Sequence, residues 1–233
     1  MNLVACTMAG GECRFAGKTV RVFLTCLVLL NAACANLGAI DKPLAQWTPE
    51  LRQRAETQIK GNRSEDIAVL LAFSGGGARA SSFAYGVLKE LAATEVMTAQ
   101  GSHSLPGEVD AISSVSGGSF TAAYYGLHGE QIFADYEQRF LRKDVEGVLF
   151  RKLFNPINWV RLLSPTYGRA DMAADYYDKI LFDGATFADL QRPDVPLDII
   201  NATDLATGTR FPFGQSSFDL LCADLGPYPV SRA

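Results

Sequence analysis

Two short segments of this chain combine residue types and spacing suited to acyl transfer. The first is Ser113-Ser-Val-Ser-Gly-Gly118. A serine at a tight strand-to-helix turn projects its hydroxyl clear of the backbone and over the N-terminus of the following helix, and the bend admits only small side chains two residues to either side. Around Ser116 those neighbours are Ser114 and Gly118. The usual pattern is Gly-x-Ser-x-Gly, so Ser114 departs from it while staying small. Gly117 and Gly118 would support the turn, and the N–H groups of the helix behind them would favour negative charge at the hydroxyl. The second segment is Gly75-Gly-Gly77. Three glycines let a backbone approach a ligand closely and turn several N–H groups toward it. For a tetrahedral acyl intermediate that is an oxyanion hole, each well-aimed donor contributing about 3–4 kcal/mol. Arg79 would fall in the first turn of the next helix, to buttress the loop or meet an anionic headgroup. Read without chemistry, the two segments are a small-residue loop and a tight turn. A nucleotide site fits poorly, because no Gly-Lys-Ser/Thr follows the glycines and no acidic residue completes a dinucleotide fingerprint.

The flanking elements would set both segments in one crevice. Ile67-Ala-Val-Leu-Leu-Ala-Phe73 is apolar throughout, as in a strand buried on both faces of a parallel sheet. A helix carrying Phe83, Val87, Leu88 and Leu91 inward follows, ending near Met97. The loop Gln100–Gly107 then leads to a second strand, Val109–Val115. Strand, helix, strand at this spacing is a βαβ unit with a right-handed crossover. Both candidate loops leave the C-terminal ends of its strands, where open α/β sheets bind ligands. From Gly129 to Leu190 the pattern is mostly helical, broken at Pro156 and Pro165. Pro196–Ile200 returns to strand character, and Thr209–Phe213 suits an edge strand because Pro212 cannot donate to a ladder.

A base is harder to find. His103 and His128 are the two histidines. A seven-residue strand separates His103 from Ser116 by roughly 20 Å, and twelve helical residues place His128 about 18 Å away. Both read as surface residues, so no Ser-His-Asp triad can be assembled from them.

Composition bounds the rest. About half the 233 residues are apolar and a fifth are charged, which suits a packed core. The net charge of −4 argues against a nucleic-acid surface, which needs a basic footprint. The N-terminus differs in kind: Arg14, Lys18 and Arg21 precede the apolar run Val22–Leu30, then small residues Asn31-Ala-Ala-Cys-Ala35. Basic, apolar, small is the order of a bacterial secretory signal, with Met8 as an alternative start. The run is shorter than the roughly 20 residues of a spanning helix, a short anchor being the other reading. Ala33-Cys34-Ala35 fits ordinary signal cleavage, and Ala32-Ala33-Cys34 equally fits a lipoprotein site with Cys34 lipidated. We therefore divide the chain into a signal at 1–35, a tether and short helix at 36–66, and a folded domain at 67–233. Cys222 reads as a small buried hydrophobe, and no cysteine spacing suits a metal site or a disulfide framework.

Phe73-Ser-Gly-Gly-Gly-Ala-Arg-Ala80 followed by Ser-Val-Ser-Gly-Gly-Ser119 resembles the patatin-like phospholipases, specifically their exported bacterial members. Asn201-Ala-Thr-Asp204 and the closing Pro229-Val-Ser-Arg-Ala233 are also similar to that family, so the resemblance covers Ile67 onward. It implies an α/β fold of three layers, with a mostly parallel central sheet flanked by helices. It further implies hydrolysis of lipid acyl esters by a Ser-Asp dyad, with no metal or other cofactor and with a membrane surface as partner. Ser116 would be the nucleophile, and Gly75, Gly76 and Gly77 would line the oxyanion hole. Ser74 and Ala80 depart from the family's glycine motif. The family's aspartate sits in Asp-Gly-Gly or Asp-Gly-Ala beyond the nucleophile. Asp183-Gly184-Ala185 matches the string, but Gly184 reads as a helix stop, and Asp204 resembles a structural position. The aspartate is expected after Ala233, the chain being read as truncated and inactive alone. The competing expectation, motivated by Ser74, Ser114 and Ala80, is a non-catalytic lipid-binding or envelope-scaffold protein that retains the pocket.

Overall fold

A computed structural model describes residues 42–43, 63–64, 66–99, 101–164 and 166–233. The signal region with Cys34, and the short helix expected within 36–66, lie outside the described residues. The elements follow as β1 (Lys42–Pro43), β2 (Val69–Phe73), α1 (Gly77–Ala92), β3 (Glu95–Thr98), β4 (Gly101–Ser104) and β5 (Val109–Val115). Next come α2 (Gly117–His128), α3 (Ile132–Tyr136), α4 (Val145–Phe154), α5 (Pro156–Leu162), α6 (Arg169–Tyr177) and α7 (Phe187–Leu190). The chain closes with β6 (Leu197–Thr203), β7 (Arg210–Phe213), α8 (Gln215–Leu220) and β8 (Ala223–Asp224).

The central sheet runs β2-β5-β6-β7. β5 pairs in parallel with β2 and with β6, while β7 closes the far edge antiparallel to β6. This is a mixed α/β fold with a mostly parallel sheet flanked by helices, as expected. Parallel neighbours require crossovers. The first is α1, and the second is the long helical excursion from α2 to α7. Pro212 falls in the edge strand, where its missing N–H leaves no inner ladder bond unmade.

Several local expectations are corrected, the first being that Phe83 of α1, expected to face inward, is 75% exposed. β2 is not buried on both faces: it lies at the sheet's edge, its exposure alternates, and Leu70 remains 72% exposed. An apolar run records the hydropathy of a strand but not how many neighbours it has. α1 stops at Ala92 instead of Met97, and a β3–β4 hairpin occupies the segment read as helix end and loop. Thr94, Val96 and Thr98 are β-branched residues that favour a pleated strand over a helix end, and Gly101 takes a φ of 120° at the turn. Cys222 is exposed at a φ of 52° just past α8, so it is no core residue. Pro156, read as a break, opens α5 at its first turn with Asn155 capping the Ile157 amide.

Leu88, Val109, Ile112, Tyr124 and Tyr136 are fully buried and join α1, β5, α2 and α3 in the core. Around Phe120 the core turns aromatic. Its ring centroid lies 4.5 Å from that of Tyr177 and 5.1 Å from that of Phe140, at separations where offset and tilted pairs attract.

Candidate active site

Ser116 is the single residue between β5 and α2, and its backbone is held at φ 50°, ψ −119°. That left-handed φ is strained for a residue with a Cβ, and strain of this kind persists only where the surroundings over-determine it. Here they do. The next two residues descend into α2, where the Ser119 amide donates to the Ser116 carbonyl at 2.9 Å. Ser116 itself remains exposed at the helix N-terminus.

The glycine loop packs directly on this turn. A Cβ built on Gly75 would lie 3.3 Å from the Ser116 Cβ and 3.6 Å from the Val115 carbonyl oxygen. On the other side, a Cβ on Gly117 would overlap the Gly77 carbonyl oxygen, and one on Gly118 would lie 2.7 Å from the Phe73 Cβ and 2.8 Å from the Ser74 carbonyl oxygen. Gly76 at φ 142° and Gly77 at φ 63° carry the chain from β2 into α1 through conformations that favour glycine. Thus Gly75 and Gly77 of the first loop meet Ser116 and Gly117 of the second, Gly118 packs on Phe73 and Ser74, and Gly76 sits between them against Ala80. Two helix N-termini, those of α1 and α2, open at that contact. Arg79 is exposed in the first turn of α1.

Buried polar bonds lock the two helices together. The Ser81 hydroxyl donates to the Gly117 carbonyl oxygen, and the Thr121 hydroxyl donates to the Ser81 carbonyl oxygen at 3.0 Å. Thr121 also meets the Tyr136 hydroxyl at 3.0 Å. Burial of Tyr136 pushes its phenol well above the ordinary range, so it is a neutral hydrogen-bonding group. On the sheet side, the Asn201 amide donates to the Ser113 hydroxyl at 3.1 Å and to the Ser114 carbonyl oxygen at 2.9 Å, while its oxygen accepts from Arg210 Nε at 2.7 Å. Asn201 thereby ties the end of β5, immediately before Ser116, to β6 and β7. Ser81, Thr121 and Asn201 were not foreseen as parts of the site. Asn201 had a faint signal as the first residue of Asn-Ala-Thr-Asp, whereas Ser81 and Thr121 had none.

Ser116 opens on a cleft of about 800 Å³ whose walls include Phe120, Ala123, Ala174, Ile200 and Val230. A second, more apolar cavity of about 650 Å³ begins at Gly77 and Ala78 and runs under α4 past Leu149, Phe150 and Leu153. Phe120, Ala173 and Tyr177 line both.

Among the described residues, no acidic or imidazole side chain hydrogen-bonds the Ser116 hydroxyl. Asp183 stands exposed at φ 50° and ends the helical turn before it, with Gly184 at φ 81°, the stop that the sequence suggested. Asp204 accepts the amides of Ala206 and Thr207 at 2.7 and 3.2 Å, closing the β6–β7 turn. Asp171 does line the cleft, but one of its oxygens caps Gly168 at 2.8 Å and the other pairs with Arg232. The Gly168 amide and then Arg232 hold its carboxyl below the usual range. His103 sits in the β3–β4 hairpin and His128 at the far end of α2, its ring tilted against that of Tyr124. Both are half-buried instead of on the surface, and neither reaches the site. No group of three or more metal-ligating side chains occurs among the described residues.

Residues 71–221 match the family model described as patatin-like phospholipase. Among solved structures the fold is similar to human GIVD cytosolic phospholipase A2 in complex with methyl gamma-linolenyl fluorophosphonate inhibitor and terbium chloride. The TM-score is 0.44 at 16% identity, over 72% of this chain. The chain spans 28% of the length of that protein. No curated protein matches the chain.

Proposed function

From a chain that belongs to the patatin-like phospholipase family, we propose a serine hydrolase of lipid acyl esters, of phospholipase A or esterase type, with Ser116 as nucleophile. The observation that carries this reading is the approach of Gly75 to Ser116, 3.3 Å between Cβ positions, at the mouth of an apolar cleft. In the proposed reaction the Ser116 hydroxyl adds to the ester carbonyl while an aspartate accepts its proton. The carbonyl oxygen takes up the negative charge facing the amides of Gly75, Gly76 and Gly77, where preorganised donors contribute most. Collapse expels the alcohol, which recovers the proton, and leaves an acyl-serine ester. Water then adds and releases the fatty acid. The geometry supports the glycine loop for this role because its backbone lies against the nucleophile, with the dipoles of α1 and α2 behind it. The aspartate is proposed to follow Ala233, since Asp171 and Asp204 are engaged elsewhere and Asp183 is exposed at a helix stop that does not line the cleft. The 233 residues alone would then be inactive. Delivery to the periplasm or a lipid anchor at Cys34 belongs to the same proposal.

One observation favours a second reading, a lipid-binding envelope protein without catalysis: Ser116 has no base beside it among the described residues. A fluorophosphonate probe on the full-length protein separates the two, because labelling requires an activated serine. Labelling at Ser116, together with at least hundredfold loss of ester hydrolysis in Ser116→Ala, is the expected result. Unchanged hydrolysis by Ser116→Ala would overturn the assignment, and absence of labelling would favour the binding protein.

A further inference from the structure

Two chambers adjoin beside the turn that carries Ser116, and their linings differ in kind. The cavity that begins at Gly77 is walled by Phe140, Leu149, Leu153 and Met172, and the charged side chains that border it are all exposed at its rim. Gly77 itself lies against Gly117, the residue after the nucleophile. A volume of about 650 Å³ with such a lining has the constitution of a small-molecule site. The cleft on the Ser116 side carries polar groups instead, with Ser119, Asp171, Asn201 and Thr203 in its walls. The Ser119 hydroxyl, one turn along α2 from Ser116, is buried with no hydrogen-bond partner among the described residues. Buried hydroxyls are rarely left unpaired in folded proteins, and this one borders the cleft.

Phe120, Ala173 and Tyr177 belong to both linings. The Phe120 ring of α2 and the Tyr177 ring of α6, 4.5 Å between centroids, therefore stand as a wall between the chambers. An ester has two unlike halves at its reactive carbon. With the carbonyl oxygen turned to the glycine loop, the acyl chain and the alcohol must leave that carbon in different directions. An alkyl chain gains most where it is taken out of water among apolar side chains. A polar alcohol loses hydrogen bonds in such surroundings, whereas the cleft beside Ser119 offers it partners.

We propose that the Phe120–Tyr177 wall sorts the two halves of the substrate ester. The acyl chain enters the cavity between Gly77 and Leu153, and the alcohol occupies the cleft, where the Ser119 hydroxyl meets it. Leu149 and Leu153, one turn apart on α4, set the acyl length accepted. The substrate class is then an ester of a long unbranched acid with a hydrogen-bonding alcohol, a glyceryl ester being the simplest. The sorting rests on the hydrolase reading above, whereas the affinity of the apolar cavity for an alkyl chain does not.

The test uses full-length protein and compares kcat/KM for p-nitrophenyl dodecanoate and p-nitrophenyl butanoate. Leu149→Trp and Leu153→Trp each fill the apolar cavity, whereas Ala170→Phe, from an exposed position on α6, fills the cleft. The dodecanoate-to-butanoate ratio is expected to fall about tenfold or more in either Trp variant, because one methylene in an apolar pocket already changes kcat/KM by about that factor. Ala170→Phe should move the ratio far less. A ratio does not depend on the fraction of protein folded, so a destabilised variant still reports. A ratio lowered by Ala170→Phe and kept by both Trp variants would overturn the proposal, the acyl chain then lying in the cleft. A ratio that none of the three moves would overturn it as well. Calorimetric titration of Ser116→Ala protein with dodecanoate reads the cavity without catalysis, and adding Leu149→Trp should weaken that binding about tenfold or more. A protein that hydrolyses no ester yet shows this binding, and loses it with Leu149→Trp, would sink the hydrolase reading alone.

Discussion

At the scale of single residues, the site depends on which glycines tolerate a methyl group and which do not. Gly75 lacks a left-handed φ, and an added Cβ would meet Ser116 at 3.3 Å, a close but not overlapping contact. Gly75→Ala should therefore fold normally and slow ester hydrolysis about tenfold or more, because small misplacements of reacting groups are amplified in rate. Gly118 is different, since its Cβ would fall 2.7 Å from that of Phe73 and 2.8 Å from a backbone oxygen. Neither neighbour can swing aside. Gly118→Ala should destabilise the fold by about 1–3 kcal/mol through overpacking, read as a lower melting temperature. Activity and melting measured on both variants check the contrast, and a Gly75 variant that loses stability while keeping full turnover would contradict it.

At the scale of elements, the α1–α2 pair holds the glycine loop against the nucleophile through buried hydrogen bonds. Ser81→Ala would remove the side-chain donor to the Gly117 carbonyl oxygen inside the core, leaving that oxygen its helical bond alone. Loss of such a bond costs about 0.5–1.5 kcal/mol. Because that carbonyl belongs to the first turn after Ser116, kcat should fall with little change in KM, whereas a purely structural bond would leave kcat of the remaining folded enzyme intact. The same pair shows what was legible beforehand. The sequence predicts the two loops, their strands and the helices behind them, because small residues and apolar runs leave local signatures. Ser81 and Thr121 were invisible because their roles arise from residues 36 and 40 positions away. The β3–β4 hairpin was missed because four-residue strands give too short an alternation to outweigh a helical reading. Missing, too, was the edge position of β2, since exposure depends on strand order and not on the strand's own composition.

At the scale of the whole molecule, one buried carboxyl ties folding to pH. Asp198 lies in β6 between Ile199 and Leu197, wholly buried, and neither of its oxygens has a hydrogen-bond partner among the described residues. A Cβ on Gly126 of α2 would overlap its Oδ2, so the carboxyl is wedged between sheet and helix, with the Leu190 side chain alongside. The Tyr125 phenol, itself pushed up to about 12 chiefly by burial, is the titratable neighbour that feels its charge. Burial raises the Asp198 carboxyl well above its ordinary value. The unfolded chain releases this proton near pH 4, while the folded chain keeps it to higher pH. The folded state therefore binds more protons over that interval, and stability declines as pH rises from the unfolded pKa to the folded one, then levels off. Asp198→Asn removes the ionisation and keeps the shape. It should raise the melting temperature at pH 8, by an amount that shrinks on acidification and vanishes below about pH 4. Melting curves of both proteins across that range decide it: a gain that grows toward acid would mean that Asp198 is held ionised by a partner, and the wedge between β6 and α2 would need a different account.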